Sequence, residues 1–440
     1  MASLLLAVIY LTFISLGLPD SLLGTAWPAM HAELSAPVAA QSLISIIISC
    51  CTIASSLLTA RLVHRLGTGR LTALSVALTA GAILGFSATN AFWQLCLIAI
   101  PYGLGAGAID SALNNYVALH YNARHMSWLH CCWGIGASMG PLMMGWALAG
   151  PLSWHGGYLA VGALQAVITA ALFLSLPLWK SAGDGTEDGG TTVEYAATQM
   201  VEPAADQMAE PADRLTVTQA TVLGDSDASL PAAHPKALSE RPLTTRELLH
   251  LPGARAAIGS FGTYCALEGS IGLWIASYLT MARGLDAATA ASIVSQFYLG
   301  ITLGRLISGF VAQWLTSEDQ IRLGQALIAG GLIGLVALNG AFAAGACTLV
   351  AGLGCAPIYP SIVALTPKRF GERASQGLVS LQMACAYTGS MLFPPVFGLV
   401  TGSGGAALIP LMAIALLGAH FILAERAVRK TKPNLDNAAR

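Results

Sequence analysis

The sequence predicts an all-α membrane protein of twelve transmembrane helices, arranged as two six-helix halves. Three observations carry this expectation. Apolar runs recur along most of the chain, and runs of about 18 residues or more are long enough to cross a hydrocarbon core of about 30 Å. Lysine and arginine concentrate in alternate connections between those runs. Short motifs in the first half recur at matching places in the second.

Hydrophobic residues make up 55% of the chain and charged residues 10%; the mean hydropathy is +0.66. A net charge of -1 argues against a nucleic-acid partner. The spans read as 4–27, 38–60, 70–89, 92–118, 128–149 and 156–179, then 253–281, 288–315, 320–340, 342–366, 373–399 and 404–426. This divides the chain into an N-terminal half (1–180), a linker (181–250), a C-terminal half (251–430) and a tail (431–440). Cutting the glycine-rich run 320–366 into two spans is the finest of these divisions.

Charge sets the orientation. Arg61, Arg65, Arg70, Arg124, Lys180, Arg241, Arg246, Arg322, Lys368, Arg369, Arg373, Arg426, Arg429 and Lys430 all fall on one side, and only Arg283 falls on the other. The positive-inside rule therefore puts both termini and the linker in the cytoplasm, with the spans in a bacterial-type plasma membrane. The first segment has no charged n-region, and Pro19 and Asp20 interrupt it, so it reads as a retained span and not a signal peptide. All nine cysteines lie in predicted spans without C-x-x-C spacing. They read as polarizable packing residues, and neither metal nor cofactor is expected.

Span one carries GLPDSLLGTAWP, residues 17–28. Pro19 frees the carbonyl one turn back, Gly17 and Gly24 permit close helix approach, and Asp20 is an intramembrane acid. Span four carries GLGAGAIDSALNN, residues 103–115, in which Gly103, Gly107, Asp110 and Asn114 share one helical face. A carboxylate within hydrocarbon costs about 2.5–3.5 kcal/mol on insertion scales, so it ordinarily faces a cavity and serves a polar pathway. The alternative for either acid is a hydrogen-bonded group that fixes helix packing.

His130 and Trp133 enter span five; the histidine reads as a substrate ligand, a proton relay or a structural hydrogen-bonding group. Residues 181–250 lack a core-forming composition and are expected to be disordered, with TTRELL (244–249) opening a short amphipathic helix on the membrane surface. Span seven holds a third acid, Glu268, and Trp274. Span eight holds Gln296 and Arg305, the arginine being placed either to snorkel towards headgroups or to line a cavity. Span ten has GLGCAPIYP (352–360) with Tyr359, and span eleven has Gln382 and GSMLFPPVFG (389–398).

The halves can be laid on one another. GLGAGAID (103–110) matches GLGCAPIY (352–359), and PLMMG (141–145) matches PPVFG (394–398). Asp20, four before Gly24, matches Glu268, four before Gly272. Such a repeat is the mark of two halves related by an axis along the membrane normal, with polar positions converging between them near the midplane.

The connection ARLVHRLGTGR, residues 60–70, resembles the cytoplasmic signature of the major facilitator superfamily in Arg65, Gly67 and Arg70, with Ala60 in place of the first glycine and His64 in place of the acid. Within that superfamily the chain looks most like the fucose-permease group of sugar–proton symporters. Asp20 precedes Leu22 and Leu23, Asp110 precedes Ser111 and Asn114, and Tyr359 precedes Pro360, as in that group. The resemblance implies that Asp20 and Asp110 are a protonatable, sugar-contacting pair and that the basic turn gates the cytoplasmic side. His130 and Trp133 stand where the group has amides, and Glu268 has no clear counterpart in it.

The expectation is a monomeric transporter of a small polar solute, a sugar, working by alternating access. Withdrawal from water disfavours the charged form of a carboxylate, so Asp20, Asp110 or Glu268 can take a proton from one side and release it to the other. One proton falling through about 100 mV yields about 2.3 kcal/mol, which supports a roughly fiftyfold gradient; sodium is the other candidate ion. Asn114, Asn115, His130, Gln296, Tyr359 and Gln382 would add hydrogen bonds, and Trp133 and Trp274 a ring face. Arg305 joins Arg65, Gly67 and Arg70 as a gating candidate. The rivals are a proton-driven exporter, which wants a wide apolar pocket, and a nutrient sensor, which wants a folded signalling tail. No H-E-x-x-H or G-x-S-x-G motif supports an intramembrane enzyme.

Overall fold

The computed structural model describes residues 2–121, 123–183 and 243–438. The expected disorder of the linker concerns mainly residues 184–242, which lie outside the described residues. Every regular element among the described residues is helical. Span one is divided into α1 (Ala2–Asp20) and α2 (Leu22–Glu33). Then come α3 (Gln41–Leu66), α4 (Thr68–Ser87), α5 (Phe92–His120), α6 (Ala123–Leu148), α7 (Ser153–Leu174) and the short α8 (Leu176–Gly183). After the linker, α9 (Thr245–His250) leads into α10 (Ala254–Ser277), α11 (Ala287–Val311) and α12 (Ser317–Ala337). Span ten is divided into α13 (Ala341–Cys355) and α14 (Ile358–Phe370), and α15 (Glu372–Val400) and α16 (Ile409–Ala438) complete the set.

The run 320–366 divides where expected, at Gly340, whose φ of 94° only glycine adopts without strain. Two elements add to the expectation. α16 runs on to Ala438, so the stretch expected as a tail from 431 continues the last helix. α9 forms with Thr244 and Glu247 in a reciprocal capping box, but its buried Leu248 packs with Ala254, Ala374 and Leu378. That is a protein contact where a membrane-surface helix was expected. Among the described residues, nine stretches are long and apolar enough to cross a membrane, the last of them covering both α15 and most of α16. The long helices outside that set are α6 and α10. They carry His130, Trp133 and Glu268, so their lower hydropathy has a local cause.

Proline explains the break in span one. Pro19 has no N–H to give Ser15, four residues back, and Gln165 Nε2 of α7 donates to that carbonyl at 2.7 Å. Pro141 likewise leaves Ala137 O free, and Ser21 Oγ donates to it at 2.9 Å. Backbone groups inside a bilayer are satisfied within the protein, and here side chains do it at the point where α1 gives way to α2. We predict that Gln165→Leu lowers stability by about 1–2 kcal/mol in the natural chain, and by much less in a Pro19→Ala background, where the restored N–H serves Ser15. A thermal-melt double-mutant cycle checks this; equal costs in both backgrounds would contradict it.

The repeat seen in the sequence has a packing counterpart. A Cβ on Gly103 would meet Ile48 O of α3, and one on Gly105 would meet Ser75 O of α4. Their matches do the same in the other half, Gly352 against Phe297 O of α11 and Gly354 against Gly324 O of α12. Gly24 and Gly272 go further and pack against each other, a Cβ on Gly24 lying 2.8 Å from Gly272 O. This contact sits where the axis relating the halves must pass.

The halves join at the end of the bundle opposite the termini. There Gln41 Nε2 donates to Leu273 O at 3.0 Å, Ser42 Oγ to Pro394 O at 3.5 Å and Ser295 Oγ to Ser138 O at 2.7 Å. Towards the other end Asp20, Tyr359 (37% exposed) and Tyr387 (54% exposed) are open, although they sit on helices that are otherwise packed. The molecule is thus sealed at one end, with a cavity facing the end that carries the termini.

Candidate functional site

Asp20 is the last residue of α1, at the break. Glycines set its neighbourhood: Cβ atoms on Gly17, Gly136 and Gly140 would collide with backbone of the facing helix, so α1 and α6 lie almost in backbone contact. This brings Trp133 to Asp20, and the indole Nε1 donates to Oδ2 at 2.7 Å. Tyr102 of α5 donates its hydroxyl to Oδ1 at 3.1 Å. Both oxygens are therefore held by neutral donors. Among the described residues Asp20 has no cation within ion-pair distance, and its exposed side faces the cavity.

Trp133 joins the halves. The guanidinium of Arg305, from α11, sits over its ring at 5.3 Å from the centroid, and Tyr298 meets it edge-on at 6.4 Å. Arg305 therefore lines the cavity and does not snorkel. Thr302, one turn back on the same face, abuts Gly134 of α6, so residue 305 is directed at α6 and away from lipid. His130 stands one turn from Trp133, edge-to-face with Phe13 at 6.0 Å and within electrostatic reach of Arg305. Glu268 is half-buried on α10. Tyr298 lies within electrostatic reach of both Asp20 and Glu268.

Asp110 accepts from Asn114 Nδ2 at 2.9 Å, one turn along α5, and its charge reaches Asp20, Tyr359 and Tyr387. Asn115 is half-buried. Tyr359 is open to the cavity, with its ring 4.8 Å from Phe261 and its hydroxyl 3.3 Å from Met383 Sδ. Asp20 and Tyr359 are thus open to the cavity, Trp133 and Arg305 meet beside Asp20, and His130 and Asp110 lie within electrostatic reach of this group, with Glu268 reaching Tyr298.

Three predicted ligands are placed elsewhere. Trp274 is fully buried and donates to Pro394 O at 2.8 Å, sealing the closed end. Gln382 is buried, accepts from Thr366 at 2.9 Å and borders a small void with Arg369 inside the C-terminal half. Gln296 lies against Gly345 of α13, between helices of its own half. Sequence reasoning passed over Tyr102 and Tyr298. A signal existed for the second: Tyr298, Thr302 and Arg305 are spaced four and three apart, which is one helical face.

Among the residues expected to gate, Gly67 ends α3 with φ 78° and makes the tight turn into α4. Arg65 and Arg70 are exposed and, among the described residues, in no ion pair. The C-terminal half does carry pairs at this end, Arg369–Glu318 at 3.0 Å and Arg322–Glu425 at 2.8 Å. In the N-terminal half His64 stands where the signature has an acid.

The family model of the Major Facilitator Superfamily matches residues 9–350. A relative described as "Protein TsgA homolog", from Serratia proteamaculans (strain 568), is 24% identical over 166 residues, an alignment that spans 37% of this chain and 42% of the relative. Two crystal structures of a bacterial homologue of the human lysosomal transporter Spinster share the fold. One, inward-facing and occupied, superposes with TM-score 0.62 at 13% identity over 100% of this chain and 95% of that one. The other, inward-facing and unoccupied, gives 0.60 at 14% identity over 98% and 94%. With a family model that matches from the first span into the tenth, the chain belongs to the major facilitator superfamily, a family of membrane transporters and not of enzymes.

Proposed function

We propose that the protein is a monomeric symporter that takes up a sugar or a similarly sized polar solute together with a proton, as in the fucose-permease group it resembles. Its termini lie in the cytoplasm of a bacterial-type plasma membrane, as the positive-inside count implies. The observation that carries the proposal is the state of Asp20: a cavity-facing carboxylate at a helix break, held by Trp133 and Tyr102 and by no cation. Protonation turns an acceptor-only group into one that also donates, and the charge-assisted bonds to Trp133 and Tyr102 weaken. α1 is thereby loosened from α5 and α6. Rocking of the halves, which parts the Gly24–Gly272 contact at the sealed end, then exposes the site to the other side.

The test is uptake of a panel of radiolabelled hexoses and deoxyhexoses into proteoliposomes, under an inward proton gradient and separately under a sodium gradient. Proton-driven accumulation of at least one sugar is expected. Accumulation under sodium alone would reassign the ion, and none under either gradient would sink symport of a neutral sugar. Asp110→Asn is expected to retain exchange and to lose roughly tenfold in accumulation, since Asp110 touches the route from further along α5 and holds one hydrogen bond.

A further inference from the structure

Arg305 is a cation without an anion. Among the described residues its guanidinium makes no ion pair and donates no hydrogen bond, and its one close partner is the ring of Trp133. A charge held inside a protein is costly unless it is paired. Cation–π contact offsets part of that and engages the charge, but it leaves the planar fork of N–H donors unused. The acids nearby do not supply the partner. Among the described residues none of Asp20, Asp110 and Glu268 is within ion-pair distance of it. The missing partner is then expected in the open space between the halves.

We propose that the substrate is a sugar carrying one carboxylate, a uronate or aldonate, bound with its carboxylate on Arg305 and its hydroxyls towards Asp20. This rests on the symport reading above and narrows it. The guanidinium fork matches a carboxylate in a bidentate geometry. A phosphate would match the fork too, but it carries about two charges at neutral pH. It would meet Asp20, Asp110 and Glu268 with a single arginine to offset them, so the charge count favours a monoanion. Trp133 then touches both parts of the site, the proton acceptor through its N–H and the anion receptor through its ring. One consequence separates this substrate from a neutral sugar. A monoanion entering with one proton moves no net charge, so uptake follows the pH difference and not the membrane potential.

The decisive experiment is equilibrium binding to the purified full-length protein by titration calorimetry, with D-glucuronate, D-galacturonate and D-gluconate beside D-glucose and D-galactose. At least one acid is expected to bind more than about tenfold tighter than its neutral parent. Arg305→Gln should weaken that acid by about tenfold or more and the parent by less than about threefold, while Arg305→Lys, which keeps the charge but not the fork, falls between. Melting temperatures establish that both variants fold. Neutral parents binding as tightly as every acid would overturn the proposal. So would equal weakening of acid and parent in Arg305→Gln, which would mark the arginine as a structural counter-ion. In proteoliposomes the acid should accumulate under a pH gradient with the potential clamped at zero, and a requirement for inside-negative potential would contradict it. A binding preference without gradient-driven uptake of any sugar would sink the symport reading and leave the anion site standing.

Discussion

Asp20→Asn is expected to lower proton-driven accumulation by roughly a hundredfold while exchange across the membrane stays measurable. The carboxylate takes two neutral donors, Trp133 at 2.7 Å and Tyr102 at 3.1 Å. An amide has one oxygen to offer and sets an N–H₂ against the other donor. Hydrogen bonds to charged groups are worth about 1.5–3 kcal/mol, so losing the charge alone accounts for a roughly tenfold to hundredfold change. The amide also cannot carry the proton, and that separates coupling from binding. Counterflow of labelled sugar, which needs no net proton movement, should therefore survive in part. Loss of both activities together with a lowered melting temperature would instead mean that Asp20 holds the helices in place.

Gly24→Leu is expected to open the sealed end. A Cβ at residue 24 would lie 2.8 Å from Gly272 O, 2.8 Å from Leu273 O and 3.0 Å from Leu273 Cα, all of them backbone. Backbone cannot rotate away as a side chain can, so α2 and α10 must separate. Overpacking costs about 1–3 kcal/mol, which shifts a two-state ratio by roughly five- to 150-fold. The cost falls on the conformer in which the halves touch here. Ser42→Cys, in a background with exposed Cys50 changed to Ser, reports the shift. Its labelling by an impermeant maleimide from the side opposite the termini should rise by about tenfold. Unchanged labelling with a lower melting temperature would show that the contact is packing and not a gate.

Much of this architecture was legible in the chain. Apolar runs marked the spans, and Pro19 marked the break in the first. The repeated glycine motifs marked equivalent positions in the halves, and their packing follows the same plan in both. What the glycines face was not legible. Gly103 and Gly107 share the helical face of Asp110, yet they serve the approach of α3, where Ile48 and Thr52 lie. The Asp20–Trp133 bond was hidden for a related reason, since it depends on how near Gly17, Gly136 and Gly140 let two distant helices come. Trp274 and Gln382 misled because a polar side chain in a span has two uses. It can meet a substrate, or it can satisfy a group of the protein's own, as Trp274 does at Pro394 O and Gln382 at Thr366. For Arg305 the distance to the helix end leaves both snorkelling and cavity lining open. Its direction is set by its face of the helix, which the spacing from Tyr298 and Thr302 already encoded.

The central claim is that Asp20 carries the coupled proton, and proton movement during downhill sugar flux tests it most directly. Proteoliposomes with a pH-sensitive dye in the external medium, and no imposed gradient, receive a pulse of the sugar or sugar acid identified above. The natural protein should make the external medium more alkaline as substrate enters, and Asp20→Asn should move substrate in exchange with no pH change. Substrate entry without alkalinisation in the natural protein, or an undiminished pH change in Asp20→Asn, would contradict the account.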